Sequence, residues 1–463
     1  MKLIYGIKDK PKFGQMVVFA IQQLLAIMAA TLVVPVITNG STIADGVTKP
    51  TMDPAAALFG AGIGTIVYVL FTRATSPVFL GSSFAFLGSM AAAFAGAATV
   101  SLGYLGLIIG AILAGLVYVV IALLVKIAGV GWLNKLMPTV VIGPTVAIIG
   151  PSLAGNAIGD LQTGGVKAED GTAVAAVLIC VLVGIITLIV TTICSTFGKK
   201  MIKLIPFIIG ILAGYAVATV FTTIGNASDT DALKIISFQS FADLVDGGFG
   251  LHTIIHLPDF TFLSAFGAFG ELSGSYFGAI ALAYIPVAFV VFAEHVADHK
   301  NISSIIEKDL LEDPGLSRTL LGDGVGSMAG AFFGGCPNTT YGESIACVAI
   351  TGNASVATII TTAVLAIIVS FFAPFVAFVN SIPSCVMGGV CIALYGFIAV
   401  SGLKMVQKVD LEQNRNLFVV STILICGIGG LSLNFGAITV TSIATALILG
   451  IIVNQILSVK DKK

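Results

Sequence analysis

Residues 334–347 read GGCPNTTYGESIAC, and this stretch cannot be plain helix although apolar runs flank it on both sides. Pro337 has no N–H to give a helix ladder, Gly335 adds backbone entropy there, and Asn338, Thr339, Thr340 and Glu343 are polar. The surrounding chain has the composition of a membrane protein: 57% of 463 residues are hydrophobic and 10% are charged, with a mean hydropathy of +1.07. It divides into apolar runs of about 17 to 25 residues, the length that crosses a hydrocarbon layer of roughly 30 Å as a helix. The alternation of an outer-membrane barrel strand is absent. A polar interruption at membrane depth persists only where it lines a cavity or is buried in protein, because an unpaired N–H or C=O in lipid costs several kcal/mol. Residues 334–347 are therefore expected to face a site.

A second interruption, SPVFLGSSFAFL at 76–87, repeats the pattern of a Pro or small-residue stretch, two hydroxyls and an aromatic: Ser82, Ser83, Phe84 against Thr339, Thr340, Tyr341. The apolar runs number about fourteen, centred near residues 27, 63, 87, 114, 146, 183, 214, 286, 326, 346, 366, 393, 423 and 447. The longest polar break, 226–275, divides them seven and seven, so the interruptions fall in the third run of each half. An odd number of spans per half places the halves in opposite orientation, the arrangement of inverted-repeat transporters that bind substrate where broken helices meet. The expected organisation is thus 1–225 as the first repeat, 226–275 as an outer linker and 276–463 as the second repeat. With both termini cytoplasmic, nineteen of the 22 Lys and Arg residues fall inside and only Lys49, Lys167 and Lys234 outside. The first run follows Lys12 and lacks a small-residue cleavage site, so it is expected to be retained, with no soluble domain beyond the spans.

The formal net charge of −1 argues against nucleic acid as a partner. Seven cysteines lie in or beside apolar runs at spacings that match no zinc or redox motif. His252 and His256 form an HxxxH without further ligands and are expected to be structural or incidental, and no metal site is expected. No Ser/His/Asp constellation and no phosphate-binding loop suggests an enzyme or an ATP-driven pump. Intramembrane carboxylates are costly and mark substrate or ion routes. In VVFAEHVADHK at 290–300, Glu294 and Asp298 are spaced to share a helix face, and Glu343 follows the interruption at Tyr341-Gly342. These three are the candidate proton carriers, and His295 is a possible shuttle or a ring hydrogen-bonded in a polar core.

Together QQLLAIMAATLVVPV (22–36), LGSSFAF (80–86), AEHVADH (293–299), KDLLEDPGLSRTL (308–320), PNTTYGESI (337–345) and VMGGVCIALYG (386–396) resemble the nucleobase–ascorbate transporter (nucleobase:cation symporter-2) family over essentially the whole chain. The resemblance implies an all-α polytopic fold whose third and tenth spans hold short strands and half-helices. It also implies a core domain of spans 1–4 and 8–11 and a gate domain of spans 5–7 and 12–14. By motif, Glu294 and Glu343 would grip the base, Phe84 and Tyr341 would flank it, and Phe84 and Gly342 would offer backbone N–H groups. Ala30 and Tyr395 would line the same pocket. The implied function is import of uracil by proton symport across the inner membrane, with no cofactor besides the proton, in a homodimer.

Uracil, with two N–H donors and two carbonyls around a flat ring, suits carboxylates, helix N-termini and an aromatic face. Glu343 resembles the uracil branch, which has a glutamate at this position where the purine branch has an amide. Gln23, Asp298 and Thr351–Gly352–Asn353 depart from the uracil branch. Xanthine or uric acid, sodium coupling and an anion exchanger of related architecture therefore remain alternatives.

Overall fold

The computed structural model describes all residues except 1–2, 41–49, 130, 169–171, 200, 247, 436–437 and 459–463. Lys2, Lys49, Lys200, Lys460, Lys462 and Lys463 of the charge count therefore lie outside the described residues. Apolar runs without a water-facing side fold as helices that satisfy their own backbone. In chain order these are α1 (Phe13–Gly40), α2 (Pro54–Phe71), strand β1 (Leu80–Ser82), a 3-10 turn Phe84–Phe86 continuing into α3 (Leu87–Ala95), α4 (Val100–Ala128), α5 (Thr139–Ser152), α6 (Val177–Phe197), the single turn α7 (Met201–Leu204) and α8 (Pro206–Ala227). After the long break come α9 (Gly274–Ile306), α10 (Leu316–Gly334), strand β2 (Asn338–Thr340), α11 (Gly342–Thr351), α12 (Val356–Ser370), α13 (Ser384–Val406), α14 (Asn414–Ile428), strands β3 (Leu433–Phe435) and β4 (Ile438–Val440), and α15 (Ser442–Ser458).

Each of the fourteen apolar centres lies on one of these helices. Among the described residues, however, only eight helical segments are long and apolar enough to cross a membrane unaided. The others are shorter or more polar for identifiable reasons. The segment Phe84–Ala95 and α11 start only after a strand has used up part of the depth, and α10 carries Arg318, Asp323 and a run of glycines. The β3–β4 hairpin had no counterpart in the sequence reading.

The closest packing falls within two sets. In one, α2 lies against α10 and α12, α10 against α4, and α4 against α9; in the other, α5 lies against α13 and α14, α13 against α6, and α6 against α8. Lipid supplies no hydrophobic drive between helices, so close backbone approach through small residues has to hold them together. Gly60 of α2 is one such residue, since a Cβ there would stand 2.4 Å from the Gly330 carbonyl oxygen of α10.

The 226–275 segment is more than a tether. It contains the helices Gln239–Val245 and Thr261–Ala265, and it docks through Ala373 N–H donating to Ile254 O and His256 N–H donating to Phe371 O, both at 2.9 Å. Asp53 joins it to the membrane helices. Its Oδ1 accepts from Ala55 N at 2.8 Å, capping α2, while its Oδ2 accepts from Asp259 N at 3.0 Å and lies 3.2 Å from His256 Nε2. His256 is thus a structural residue, whereas His252 is exposed.

Two outcomes are expected. Gly60→Ala forces α2 and α10 apart and lowers stability by about 1–3 kcal/mol, read as a lower midpoint of thermal unfolding in detergent, whereas Gly14→Ala, which meets nothing within 4 Å, leaves it in place. The contact with Asp53 raises the pKa of His256 above the ordinary imidazole value. Its stabilisation is therefore complete below that ordinary value and is lost as pH rises through the raised one. His256→Gln should remove this part of the pH dependence of unfolding; an unchanged profile would show that the pair contributes nothing.

Candidate functional site

The two interruptions meet. β1 and β2 pair antiparallel with Leu80 opposite Thr340, Gly81 opposite Thr339 and Ser82 opposite Asn338. Ser83 N–H donating to Pro337 O at 2.9 Å and Tyr341 N–H donating to Phe79 O at 3.1 Å extend the ladder. Each strand thus supplies the hydrogen bonds that the other's non-helical backbone would otherwise lack at this depth. Asn338 fastens the pair to α2 through Nδ2 donating to Gly60 O at 3.2 Å. Gly81 has to be glycine, because a Cβ there would lie 2.3 Å from the Tyr341 ring, whose hydroxyl donates to Ser82 O at 2.7 Å.

Directly after each strand a helix begins without a side-chain cap, at Phe84 and at Gly342. The free N–H groups of a helix start carry partial positive charge. Both starts line a single cavity of about 440 Å³, within the size range of small-molecule sites. Its walls come from both helix sets: Glu294 and Asp298 of α9, Glu343 of α11 and Phe84 on one side, with α5, α7, α8 and α13 on the other. Glu294, Asp298, Glu343 and Phe84 are each only partly buried. Asp298 Oδ2 accepts from Thr340 Oγ1 at 2.8 Å, tying α9 to β2. The Phe84 ring meets Tyr395 edge-on, with centroids 6.1 Å apart.

Several expected site residues lie elsewhere. Ala30 and Tyr395 are buried, at 1% and 3% exposure, and neither lines the cavity. Ala30 packs inside the core, and Tyr395 supports Phe84 from behind. Tyr341 does border the cavity, with its hydroxyl already engaged by Ser82. His295 is fully buried and outside the lining: its Nδ1 is 2.7 Å from Asp323 Oδ2 and its Nε2 is 3.0 Å from Thr319 Oγ1. Of the two sequence readings of His295, the geometry fits the ring held in a polar core. His299 stacks on it with centroids 4.0 Å apart and reaches Tyr68 Oη at 2.7 Å, and Tyr68 donates to Ser76 Oγ at 2.6 Å.

Asp323 and Lys203 were not assigned to the site from the sequence, and Gln23 was noted there only as a departure from the uracil branch. Asp323 is fully buried in α10, and the signal that could have found it is a lone carboxylate within the ninth apolar run. Gln23 Nε2 donates to Ser344 Oγ at 2.5 Å, and Ser344 Oγ in turn accepts from Phe79 N at 3.0 Å, fixing α11 beside Glu343. Lys203 borders the cavity although by position it reads as a loop lysine, and only packing could reveal it.

Comparison with known proteins gives the family. Residues 14–435 match the model of the Permease family. The chain belongs to this family, the nucleobase:cation symporter-2 permeases. Permeases similar to it include the uracil permease of Bacillus subtilis (strain 168), 37% identical with 98% of this chain and 95% of that one covered. The uracil permease of Bacillus caldolyticus is 36% identical over the same shares, and that of Escherichia coli (strain K12) is 34% identical over 96% and 92%. Relatives of this kind are transporters rather than enzymes, and the multiple apolar helices make this permease a multi-pass membrane protein.

Among solved structures, the transmembrane domain of the cyanobacterial bicarbonate transporter BicA has a TM-score of 0.61 at 15% identity, with 96% of this chain and 98% of that one covered. Murine Slc26a9, an anion transporter in the inward-facing state, has a TM-score of 0.65 at 11% identity, with 98% and 69% covered. At such identities the likeness concerns the fold alone.

Asp323→Ala removes the acceptor that His295 faces in a dry interior. Leaving the His295 ring without this partner, together with the cavity left behind, is expected to cost about 2–4 kcal/mol. Thr340→Val, which removes one partly buried hydrogen bond, should cost about 1 kcal/mol. Thermal unfolding of both variants in detergent checks the order, and equal losses would refute it.

Proposed function

We propose that this permease imports uracil together with a proton by alternating access. The observation that carries the reading is the convergence of Glu294, Glu343 and two uncapped helix starts on one cavity, in a chain 34–37% identical to three permeases named for uracil. Glu294 and Glu343 accept from the two ring N–H groups, and the N–H groups at Phe84 and Gly342 donate to the carbonyls. Phe84 presents its aromatic face to the ring, with Tyr395 and Tyr341 holding the wall behind it and Ala30 keeping α1 close. A site that pairs every edge of the ring discriminates against bases lacking one of those groups.

Glu294, Asp298 and Glu343 share the proton, and His295 together with Asp323 braces α9 against α10. A neutral base gains nothing from the membrane potential, whereas a proton moving with it contributes about 2.3 kcal/mol per 100 mV.

In this reading the fourteen segments form two inverted sets of seven. The set around β1 and β2 is the core (spans 1–4 and 8–11), and the set around α5, α6, α8 and α13 is the gate (spans 5–7 and 12–14). Both termini are cytoplasmic and the protein sits in the inner membrane as a homodimer. The cavity borders Lys203, Ser401 and Met405, at helix ends whose loops hold the lysine excess, so the arrangement is inward-facing.

Glu343→Gln replaces a carboxyl group that accepts from the base and can hold the co-transported proton with an amide that cannot hold it. Losing this partner, about 1.5–3 kcal/mol on the scale of a hydrogen bond to an ionisable group, should weaken uracil uptake into proteoliposomes by about 10- to 100-fold. Wild-type uptake should collapse when the pH gradient is dissipated and should resist unlabelled xanthine. Uptake insensitive to protons, or displaced by xanthine, would refute the reading.

A further inference from the structure

Lys203 sits on α7, the single turn in the bend between α6 and α8. Its neighbour Leu204 packs with Ala26 of α1 and Cys347 of α11. Cys347 is one helical turn beyond Glu343, about 6 Å along the axis. Lys203 itself is exposed and lines the same cavity as Glu343, and its flexible four-carbon stem carries a point charge that can follow a moving partner. The acids facing the cavity are Glu294 and Asp298 of α9 and Glu343 of α11. Among the described lining residues Lys203 is the one Lys or Arg, and none of these four is in an ion pair with a described residue. Asp298 is partly committed to Thr340. The contacts of Leu204 with α1 and α11 hold α7 beside the helix that carries Glu343, so Lys203 and Glu343 line one cavity from neighbouring elements.

We propose that Lys203 is the cation that receives the Glu343 carboxylate once its proton has left on the lysine-rich side. The inference rests on the proton-symport reading above. After the base departs, the proton passes from Glu343 to water, no other bond forms or breaks, and an ion pair replaces what would be an unpaired carboxylate in a poorly solvated site. Lys203 is a positioning residue for proton release and does not hold the base. Net import requires that release in every cycle, whereas exchange of uracil for uracil lets the carrier shuttle with its proton kept. The two modes therefore separate the role of Lys203 from a purely structural one.

The test is radiolabelled uracil transport in proteoliposomes of wild type, Lys203→Gln and Lys203→Arg. Each is measured as net uptake under an inward pH gradient and as exchange with uracil on both sides at equal pH. The ratio of net uptake to exchange should fall about tenfold in Lys203→Gln and return towards wild type in Lys203→Arg. A ratio in Lys203→Gln equal to wild type, or an Arg variant as impaired as the Gln variant, overturns the inference and leaves the uracil reading standing. A wild type that exchanges no uracil overturns both.

Discussion

The pairing of Leu80–Ser82 with Asn338–Thr340 is the constraint on which the rest of the structure depends. Extended backbone cannot satisfy itself in a membrane interior, so neither interruption could persist without the other. Their union makes two halves of the chain, some 260 residues apart in sequence, into one unit. It also dictates what surrounds it. Gly81 leaves room for Tyr341, Asn338 reaches across to Gly60, and α2 and α10 approach until Gly60 faces the Gly330 carbonyl. The pairing also leaves two helix starts without side-chain caps, at Phe84 and Gly342, on one cavity, where their N–H groups present partial positive charge.

The charged groups of the interior divide into two populations with different surroundings. Glu294, Asp298 and Glu343 border the cavity and keep partial exposure, so water and solutes that enter the cavity can reach them. Asp323, His295, His299, Tyr68 and Ser76 form a chain of short contacts, each member fully buried. Because α9 carries Glu294 and Asp298 towards the cavity and His295 and His299 towards α10 and α2, one helix serves both populations. Moving a carboxylate on its cavity face therefore means moving the buried network with it.

Helices were legible from composition because, in lipid, long apolar runs have few other solutions, and all fourteen centres lie on helices. The membrane carboxylates Glu294, Asp298 and Glu343 were legible for the same reason: a charge in an apolar run is conspicuous, and these three do gather at one cavity. Asp323 is equally conspicuous, but no polar interruption adjoins it to tie it to the site. His295 follows Glu294 directly in sequence and faces the opposite way, because consecutive residues on a helix are about 100° apart. Ala30 and Tyr395, taken over from the family motif, stand one layer behind the lining.

From the sequence alone followed the solvent, the two interruptions, the acids beside them and the family resemblance, since each rests on local composition or spacing. Tertiary structure alone decided which strand partners which, that Asp53 holds both a helix cap and the 226–275 segment, that Gln23 steadies Ser344, and that Lys203 reaches the cavity. Apart from the Asp53 cap, which spans two positions, those hydrogen bonds join residues from 206 to 321 positions apart, and Lys203 meets the cavity across separate helices. Local propensity carries no information about them, because the energy that selects them comes from backbone groups and side chains that meet only after the helices have packed.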